Sequence, residues 1–118
     1  MGTWNALRVD SQRIGDASVV SARGEIDLAT SRELEVALDA ARAGAATLVL
    51  DLRGVEFIDT SGLRIVFDHR QRAKSGGYRF VVVRGTPQVQ RVLAIAGFRD
   101  TDGLFVDDPS EVTGAADA

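Results

Sequence analysis

Apolar and polar residues alternate near the start of the chain, at Ala6–Val9 and again at Ala17–Arg23. Alternation with a period of two is typical of a strand with one buried face, and Gly15-Asp16 between the two stretches favours a tight turn. The first part of the chain is therefore predicted to form a β-hairpin.

Three later segments repeat apolar residues every three or four positions, which is the spacing of one helix face. These residues are Leu34, Ala37, Leu38 and Ala41 in the first segment, Leu63, Val66 and Phe67 in the second, and Val89, Val92, Leu93 and Ala96 in the third. In the second segment Ile65 and His69 lie off this face. His69 is accordingly predicted to lie on the surface or along the side of the helix.

Polar residues, prolines and glycines mark where these helices begin and end. Thr30 followed by Glu33 has the spacing of a capping box, in which each side chain bonds to the other residue's backbone, and Gly44 stops that helix. By the same reasoning the second helix runs from Ser61 to about Ser75 before Gly76-Gly77, and the third follows Thr86-Pro87 and ends at Gly97.

A predicted strand from Thr47 to Leu52 contains the unbroken apolar run Leu48–Leu50. Phe80–Val83 and Leu104–Val106 are further runs of this kind. Such runs between helices are typical of strands that are buried on both faces of a parallel sheet. The order strand, strand, helix, strand, helix, strand, helix, strand therefore predicts an α/β fold, with a mixed β-sheet that has a parallel core and helices packed on it.

A length of 118 residues fits one domain that buries its own core. We expect the domain to span residues 6–108, after a flexible lead-in at residues 1–5 in which Trp4 either covers a core edge or is exposed. Residues 109–118 are small and acidic and have no apolar spacing, which predicts a disordered tail.

Charge and composition exclude several classes of function. The formal net charge is −3, and the 13 arginines and one lysine are scattered instead of forming the basic stripe that nucleic acid requires. There are no cysteines for disulfides or thiolate metal sites. No run approaches the roughly 20 apolar residues of a membrane span, and the N-terminus lacks the apolar core of a signal peptide. We expect a cytoplasmic protein that binds no nucleic acid, membrane, metal or cofactor.

Small polar residues collect where the central strand meets the second helix, in a strand-to-helix joint formed by Asp59, Thr60, Ser61 and Gly62. The side-chain oxygens of such residues accept hydrogen bonds from the unpaired amides of a helix start, so one interpretation is a helix cap. A phosphate on either hydroxyl would also be stabilised by those amides and by the helix dipole. The joint therefore has two interpretations, a cap and a phosphorylation switch.

A longer pattern includes the joint. From Asp51 to Leu63 the chain follows D-L-x-x-V-x-F-I-D-T-S-G-L, which resembles the signature of the STAS family, named for sulfate transporters and anti-sigma factor antagonists. Upstream, Gly24-Glu25-Ile26-Asp27 is similar to a turn of the same domains, and the elements from about Leu7 to Val106 follow the family's order. The resemblance implies a single STAS domain and, for function, a bacterial anti-sigma factor antagonist.

In the family that the chain resembles, the antagonist binds its anti-sigma factor when unphosphorylated and so releases a sigma factor. The anti-sigma factor is also a serine/threonine kinase that phosphorylates the hydroxyl residue directly after the motif aspartate, and a phosphatase reverses this. Here the resemblance makes Asp59 the motif aspartate, Thr60 the acceptor and Ser61 the alternative acceptor. Such a protein is a binding module and a kinase substrate with no catalytic site of its own.

The resemblance also implies a partner-binding surface around the acceptor. Its members would be Asp27, Asp59, Thr60, Ser61, Gly62, Leu63 and Arg64. Asp27 could instead cap the following helix, and Gly62 and Leu63 are first a helix start and a core residue. Arg64 stands where many family members have glycine, and it could pair with a partner's acidic residues, pair with the phosphate or be solvated.

Other functions were weighed against this one. The main alternative keeps the fold and makes the protein a scaffold or sensor that phosphorylation does not switch. Asp59-Thr60-Ser61 lacks the glycine of an aspartic protease motif, and Asp51 lacks the acidic pair of a phospho-aspartate receiver. A serine hydrolase is disfavoured because His69 lies about two turns from Ser61 and no Gly-x-Ser-x-Gly elbow is present.

Overall fold

A computed structural model describes residues 7–114, and the predictions for Trp4 and the lead-in lie outside this range. The elements are β1 (Arg8–Ile14), β2 (Ala17–Ile26), α1 (Ser31–Arg42), β3 (Thr47–Ile58), α2 (Thr60–Gly76), β4 (Arg79–Val83), α3 (Pro87–Ile95), β5 (Phe105–Val106) and α4 (Ser110–Thr113), with a 3-10 turn at Asp100–Asp102. No helix in the described range is long and apolar enough to cross a membrane.

The five strands form one sheet in the order β1-β2-β3-β4-β5. β1 and β2 are the antiparallel hairpin that the alternation predicts, with Gly15 in the turn at φ 59°. The pairs β2-β3, β3-β4 and β4-β5 are all parallel. The predicted mixed sheet with a parallel core is therefore confirmed, and the carboxyl ends of β2, β3 and β4 lie at the same edge.

The main core lies on one face of the sheet. Leu48, Leu50 and Leu52 of β3 pack there with the apolar residues of α1, α2 and α3. Val49 points to the other face, because side chains alternate along a strand, and belongs to a smaller cluster that includes Val112 of α4. Burial on both faces explains why Thr47–Leu52 has no polar alternation.

The buried face of α2 differs from the predicted one. Phe67, which was assigned to the core, is 53% exposed, whereas His69, which was assigned outside it, is only 1% exposed. The buried residues of the helix are Gly62, Ile65, Val66 and His69. This set also has helical spacing, so α2 is rotated relative to the predicted orientation, and its first buried position is a glycine.

The predicted capping box at the start of α1 does not form. Although Thr30 is the N-cap residue, its side chain makes no cap hydrogen bond to the helix. The Thr30 hydroxyl instead donates to the Glu25 carbonyl at 2.8 Å and accepts from the Asp27 N–H at 3.0 Å. It is therefore used to close the turn between β2 and α1.

The C-terminal tail was predicted to be disordered from residue 109, but the structure forms the short helix α4 at Ser110–Thr113. The Glu111 carboxylate accepts hydrogen bonds from the amides of Asp107 and Asp108 at 2.9 and 3.0 Å. Arg53 also approaches Asp108 at 3.6 Å. These contacts, together with Val112, hold the segment against the sheet; residues 115–118 lie outside the described range.

Candidate functional site

The joint lies beside the turn that follows β2. Ile26 pairs with Ile58 in the parallel ladder, and the Asp59 N–H donates to the Ile26 carbonyl at 3.1 Å. The two sequence segments that carry the family resemblance, although about 30 residues apart in the chain, are thus adjacent in space. Asp27 and Asp59 each directly follow one of these paired residues.

Asp59 caps α2. Its Oδ1 accepts from the Ser61 N–H at 2.8 Å, and its backbone carbonyl accepts from the Leu63 N–H at 3.1 Å. The helix begins at Thr60, one residue earlier than predicted. The capping function that the sequence left open between three residues therefore belongs to the carboxylate.

The two hydroxyls at the joint are not used for capping. Within residues 7–114, neither the Thr60 nor the Ser61 hydroxyl has a hydrogen-bond partner. Thr60 is exposed, whereas Ser61 is half-buried. Thr60 therefore carries the more accessible hydroxyl group at the helix start.

Asp27 holds the neighbouring turn. Its Oδ1 accepts from the amides of Ala29 and Thr30 at 3.0 Å each, and from the Thr30 hydroxyl at 3.2 Å. The side chain is half-buried. These bonds support the turn-capping interpretation of Asp27, and they fix the turn against which the joint is placed.

Gly62 allows α2 to approach the sheet closely. A Cβ at this position would lie 2.5 Å from Ile58 Cγ1 and 2.8 Å from Ile26 Cγ2. Gly62 is buried by this contact, and Leu63 is half-buried against the main core. The buried position of Gly62 supports its packing role over the predicted partner contact, because it leaves no surface to present.

His69 is buried two turns further along the inner face of α2. Its ring lies 5.5 Å from that of Phe80, and neither ring nitrogen has a hydrogen-bond partner. Burial, reinforced by the positive charge of Arg72, lowers the pKa of His69, and the nearby carboxylates of Asp39 and Asp68 only partly oppose this. The distance from His69 Nε2 to Asp39 Oδ1 is 3.6 Å. His69 is therefore a neutral core residue.

The exposed side of α2 carries a different set of residues. Thr60, Arg64 and Phe67 are spaced four and three positions apart and are all exposed, so they form an outer stripe along the helix. Two more exposed apolar residues belong to the adjacent segments: Leu28, 81% exposed, follows Asp27 in the turn after β2, and Phe57, 49% exposed, precedes Ile58 in β3. Sequence reasoning missed Leu28 and Phe57 and placed Phe67 in the core.

Asp51, the first residue of the long pattern, has a structural role. It is 6% exposed, and its carboxylate binds the Arg53 guanidinium at 2.8 Å and accepts from the Arg53 N–H at 3.0 Å. The hydrogen bond with Asp51 raises the pKa of Arg53. Both residues line an open surface cavity of about 700 Å³, together with Arg23 and Glu56. The buried Asp51 carboxylate in this cavity is already paired with Arg53.

The model of the STAS domain family matches residues 8–107. The chain belongs to the STAS family. The match includes both segments that carry the resemblance and extends over every strand of the sheet.

Individual relatives of this STAS domain extend the comparison. RsfB of Mycobacterium tuberculosis, an anti-sigma-F factor antagonist, is 36% identical over 89 residues, which cover 75% of this chain and 72% of RsfB. RsfA of the same species, also an anti-sigma-F factor antagonist, is 28% identical over 99 residues, which cover 81% of this chain and 77% of RsfA. The crystal structure of an anti-sigma factor antagonist from Mycobacterium paratuberculosis, 27% identical, matches with a TM-score of 0.83 over 100% of both chains.

Proposed function

We propose that this STAS domain is an anti-sigma factor antagonist, which binds an anti-sigma factor with serine/threonine kinase activity and thereby releases a sigma factor. Phosphorylation of Thr60 ends this binding, and a phosphatase restores it. The observation that carries the proposal is the exposed Thr60 hydroxyl, which makes no hydrogen bond within residues 7–114, directly after the motif aspartate. The protein acts as a binding module and kinase substrate in the cytoplasm.

The anti-sigma factor as partner is supported by the relatives. RsfB and RsfA are both anti-sigma-F factor antagonists, and each aligns with about three quarters or more of this chain. The exposed apolar residues near the joint, Leu28 and Phe57, together with Phe67 of the outer stripe, suit a protein partner, because apolar side chains gain by leaving water.

Thr60 is favoured over Ser61 as the acceptor. The kinase transfers the γ-phosphoryl group of ATP to the hydroxyl oxygen, ADP leaves, and the hydroxyl proton passes to a base of the kinase. The acceptor oxygen must therefore enter the active site of another protein. Thr60 is exposed and Ser61 is half-buried at the joint, so the Thr60 oxygen is the easier one to reach.

Phosphorylation would block binding through charge and desolvation. A phosphate adds roughly −1.5 to −2 charges at neutral pH, directly beside the Asp59 carboxylate. In an interface formed by apolar residues such as Phe57 and Phe67, that charge must lose its water when the partner docks, which is costly. The unphosphorylated joint carries no such penalty.

Phosphopeptide mass spectrometry on the protein from its native cells tests the acceptor. We expect phosphate on Thr60, lost in Thr60→Ala and retained in Ser61→Ala. Phosphate that persists in Thr60→Ala and disappears in Ser61→Ala would move the acceptor to Ser61. Absence of phosphate from both residues, across several growth and stress conditions, would instead favour the scaffold or sensor alternative.

A titration against the anti-sigma factor tests the switch itself. Thr60→Glu adds negative charge at the joint and should weaken binding at least tenfold, although a carboxylate carries less charge than phosphate. Gln12→Glu adds the same charge at an exposed position of β1 and serves as the matched control. Equal affinity of Thr60→Glu and Gln12→Glu would contradict electrostatic exclusion at the joint.

A further inference from the structure

Arg64 lies one helical turn after Thr60 on the outer stripe of α2. Residues four apart on a helix have Cβ atoms about 5–6 Å apart, and helical side chains lean toward the N-terminus of the helix. The Arg64 side chain therefore extends over the turn that carries Thr60. Both residues are exposed, so neither is held in another packing arrangement.

Arg64 has no other ionic partner in the described part of the chain. None of the ion pairs that Arg53, Arg72, Arg84 and His69 make within residues 7–114 includes Arg64. Asp68 lies four residues further along, but an acidic group that follows the basic one in sequence is the weaker orientation on a helix. An acidic group at position 60, before Arg64, has the stronger orientation.

The Asp59 carboxylate, next to Thr60 in the chain, is already engaged within the helix start. Asp59 Oδ1 is engaged by the Ser61 N–H at 2.8 Å as the cap of α2. A phosphate on the Thr60 oxygen would thus add acceptor oxygens at a helix start where the Ser61 N–H is already capped. The unpaired cation within reach of those oxygens along the helix is Arg64.

We propose that Arg64 binds the phosphate of phosphorylated Thr60 within the same helix and so stabilises its doubly charged form. This inference rests on the proposed phosphorylation of Thr60. Guanidinium binds phosphate through two parallel hydrogen bonds, which are stronger than those between neutral groups. Because Arg64 interacts more strongly with the dianion than with the monoanion, it favours loss of the second phosphate proton.

The consequence is a switch that resists mild acidification. The second ionisation of a phosphate ester lies close to pH 6, so a phosphate without a cationic neighbour loses part of its charge slightly below neutral pH. With Arg64 beside it, the phosphate keeps its full charge to lower pH, and exclusion of the partner persists there. The arginine at this position thereby tunes the regulation of the joint.

Phosphorus NMR of the full chain with phosphothreonine incorporated at position 60 during translation tests the proposal. We expect the midpoint of the phosphorus titration to lie about 0.4 pH unit lower in this protein than in its Arg64→Gln variant. The difference should shrink in 1 M salt, where ionic interactions at the surface are screened. The Arg64 side-chain N–H resonance should also move on phosphorylation.

Two control variants separate a specific contact from a general charge effect. Arg91→Gln removes the same charge from the exposed surface of α3 and should leave the midpoint unchanged. Arg64→Lys keeps the charge but cannot form the bidentate hydrogen bonds of a guanidinium to phosphate. Its titration midpoint should therefore fall between those of the wild type and Arg64→Gln. Equal midpoints for the wild type and Arg64→Gln, or an equal shift in Arg91→Gln, would overturn the proposal.

Incorporation of phosphothreonine during translation needs no kinase. The proposed phosphorylation of Thr60 and the proposed role of Arg64 can therefore be tested separately. If the native protein is never phosphorylated at Thr60, the proposed function fails, whatever the titration gives. If native Thr60 is phosphorylated and Arg64→Gln leaves the midpoint unchanged, only the Arg64 proposal fails.

Discussion

The starts of α2 and α3 are both capped by a side chain, but the capping groups differ. Each helix follows a parallel strand at the same edge of the sheet. At α3 the Thr86 hydroxyl accepts from the Val89 N–H at 3.2 Å, and the Gln90 side chain accepts from the Gly85 N–H at 2.9 Å. At α2 the cap is the Asp59 carboxylate.

The difference shows which hydroxyls are available for chemistry. Thr86 is engaged in its own helix start, so modification of its oxygen would remove a cap. Thr60 occupies a helix start that is already capped, so its oxygen can be modified without losing a hydrogen bond within residues 7–114. Under the proposed function, a carboxylate cap followed by an exposed hydroxyl combines a stable helix start with a phosphorylation switch.

The largest expected effect on stability comes from adding a side chain at Gly62, where α2 approaches the sheet. In Gly62→Ala the added methyl would lie 2.5 Å from Ile58 Cγ1 and must displace the helix or the strand. We expect a loss of about 2 kcal/mol in the free energy of unfolding and a melting temperature about 8 °C lower. Gly76→Ala, at the end of the same helix, meets movable side chains and is the control. A Gly62→Ala variant as stable as Gly76→Ala would contradict the close approach.

α2 and α3 should also differ in their dependence on pH. α2 buries His69, whose pKa is lowered by burial, whereas the buried residues of α3 are Val89 and Leu93. Unfolding then takes up a proton, so His69 contributes its full stability above the ordinary histidine pKa and loses it as the pH falls below that value.

Urea unfolding between pH 8 and pH 5.5 measures this dependence. The wild type should lose up to about 1.4 kcal/mol per pH unit more than His69→Leu, which keeps the packing and removes the titration. The carboxylates of the chain contribute to both curves alike. Parallel curves for the two proteins would show that His69 is not the group responsible.

Removing either cap should have a similar, smaller effect. Thr86→Ala leaves the Val89 N–H without its acceptor, and Asp59→Ala does the same to the Ser61 N–H. Each should lower the free energy of unfolding by about 1 kcal/mol. Thr86→Ser and Asp59→Asn keep an acceptor oxygen and are the matched controls. Their free energies of unfolding in urea titrations should stay close to that of the wild type.

The smallest effect on stability is expected from a change at Thr60, the proposed phosphoacceptor. Thr60→Ala should change the free energy of unfolding by no more than about 0.5 kcal/mol, since the Thr60 hydroxyl is exposed and has no hydrogen-bond partner within residues 7–114. Thermal unfolding of Thr60→Ala beside Thr86→Ala compares the same substitution at both helix starts. A similar loss in both variants would mean that the Thr60 hydroxyl also stabilises its helix.

The fold could be predicted because its signals are local. The unbroken apolar run at Leu48–Leu50 needs cover on both faces, and glycines such as Gly15 mark turns that few other residues adopt. The strand β3 nevertheless continues to Ile58, beyond the predicted end, because Gly54, Val55, Phe57 and Ile58 pair with the last residues of β2. Pairing between distant segments is not encoded in either segment alone.

The orientation of α2 could not be predicted from apolar spacing alone. Two stripes with helical spacing share Val66, and hydrophobicity favours the one that contains Phe67. The structure selects the stripe that begins at Gly62, because only a residue without a side chain permits contact with Ile58 and Ile26. Tertiary packing therefore buried a histidine and exposed a phenylalanine.

At the candidate site, the arrangement of the two segments was predicted more reliably than their hydrogen bonds. The two segments that resemble the family are adjacent, but the capping-box pattern of Thr30 and Glu33 gave a wrong hydrogen bond. The Thr30 hydroxyl instead accepts from the Asp27 N–H and donates to the Glu25 carbonyl, which the turn brings near only after the chain has folded. Sequence spacing identifies groups that can bond, while the folded chain decides between competing partners.

The length of β3 has a consequence for access. β4 accompanies β3 only from Thr47 to Asp51, whereas β2 continues beside it to Ile58. At a rise of about 3.3 Å per residue, the remaining seven residues offset the joint by about 20 Å along the strand from the last β4 pairing. Under the proposed function, the kinase that modifies Thr60 would therefore approach an end of the sheet that β4 does not reach, with α3 beside Phe57 and Ile58.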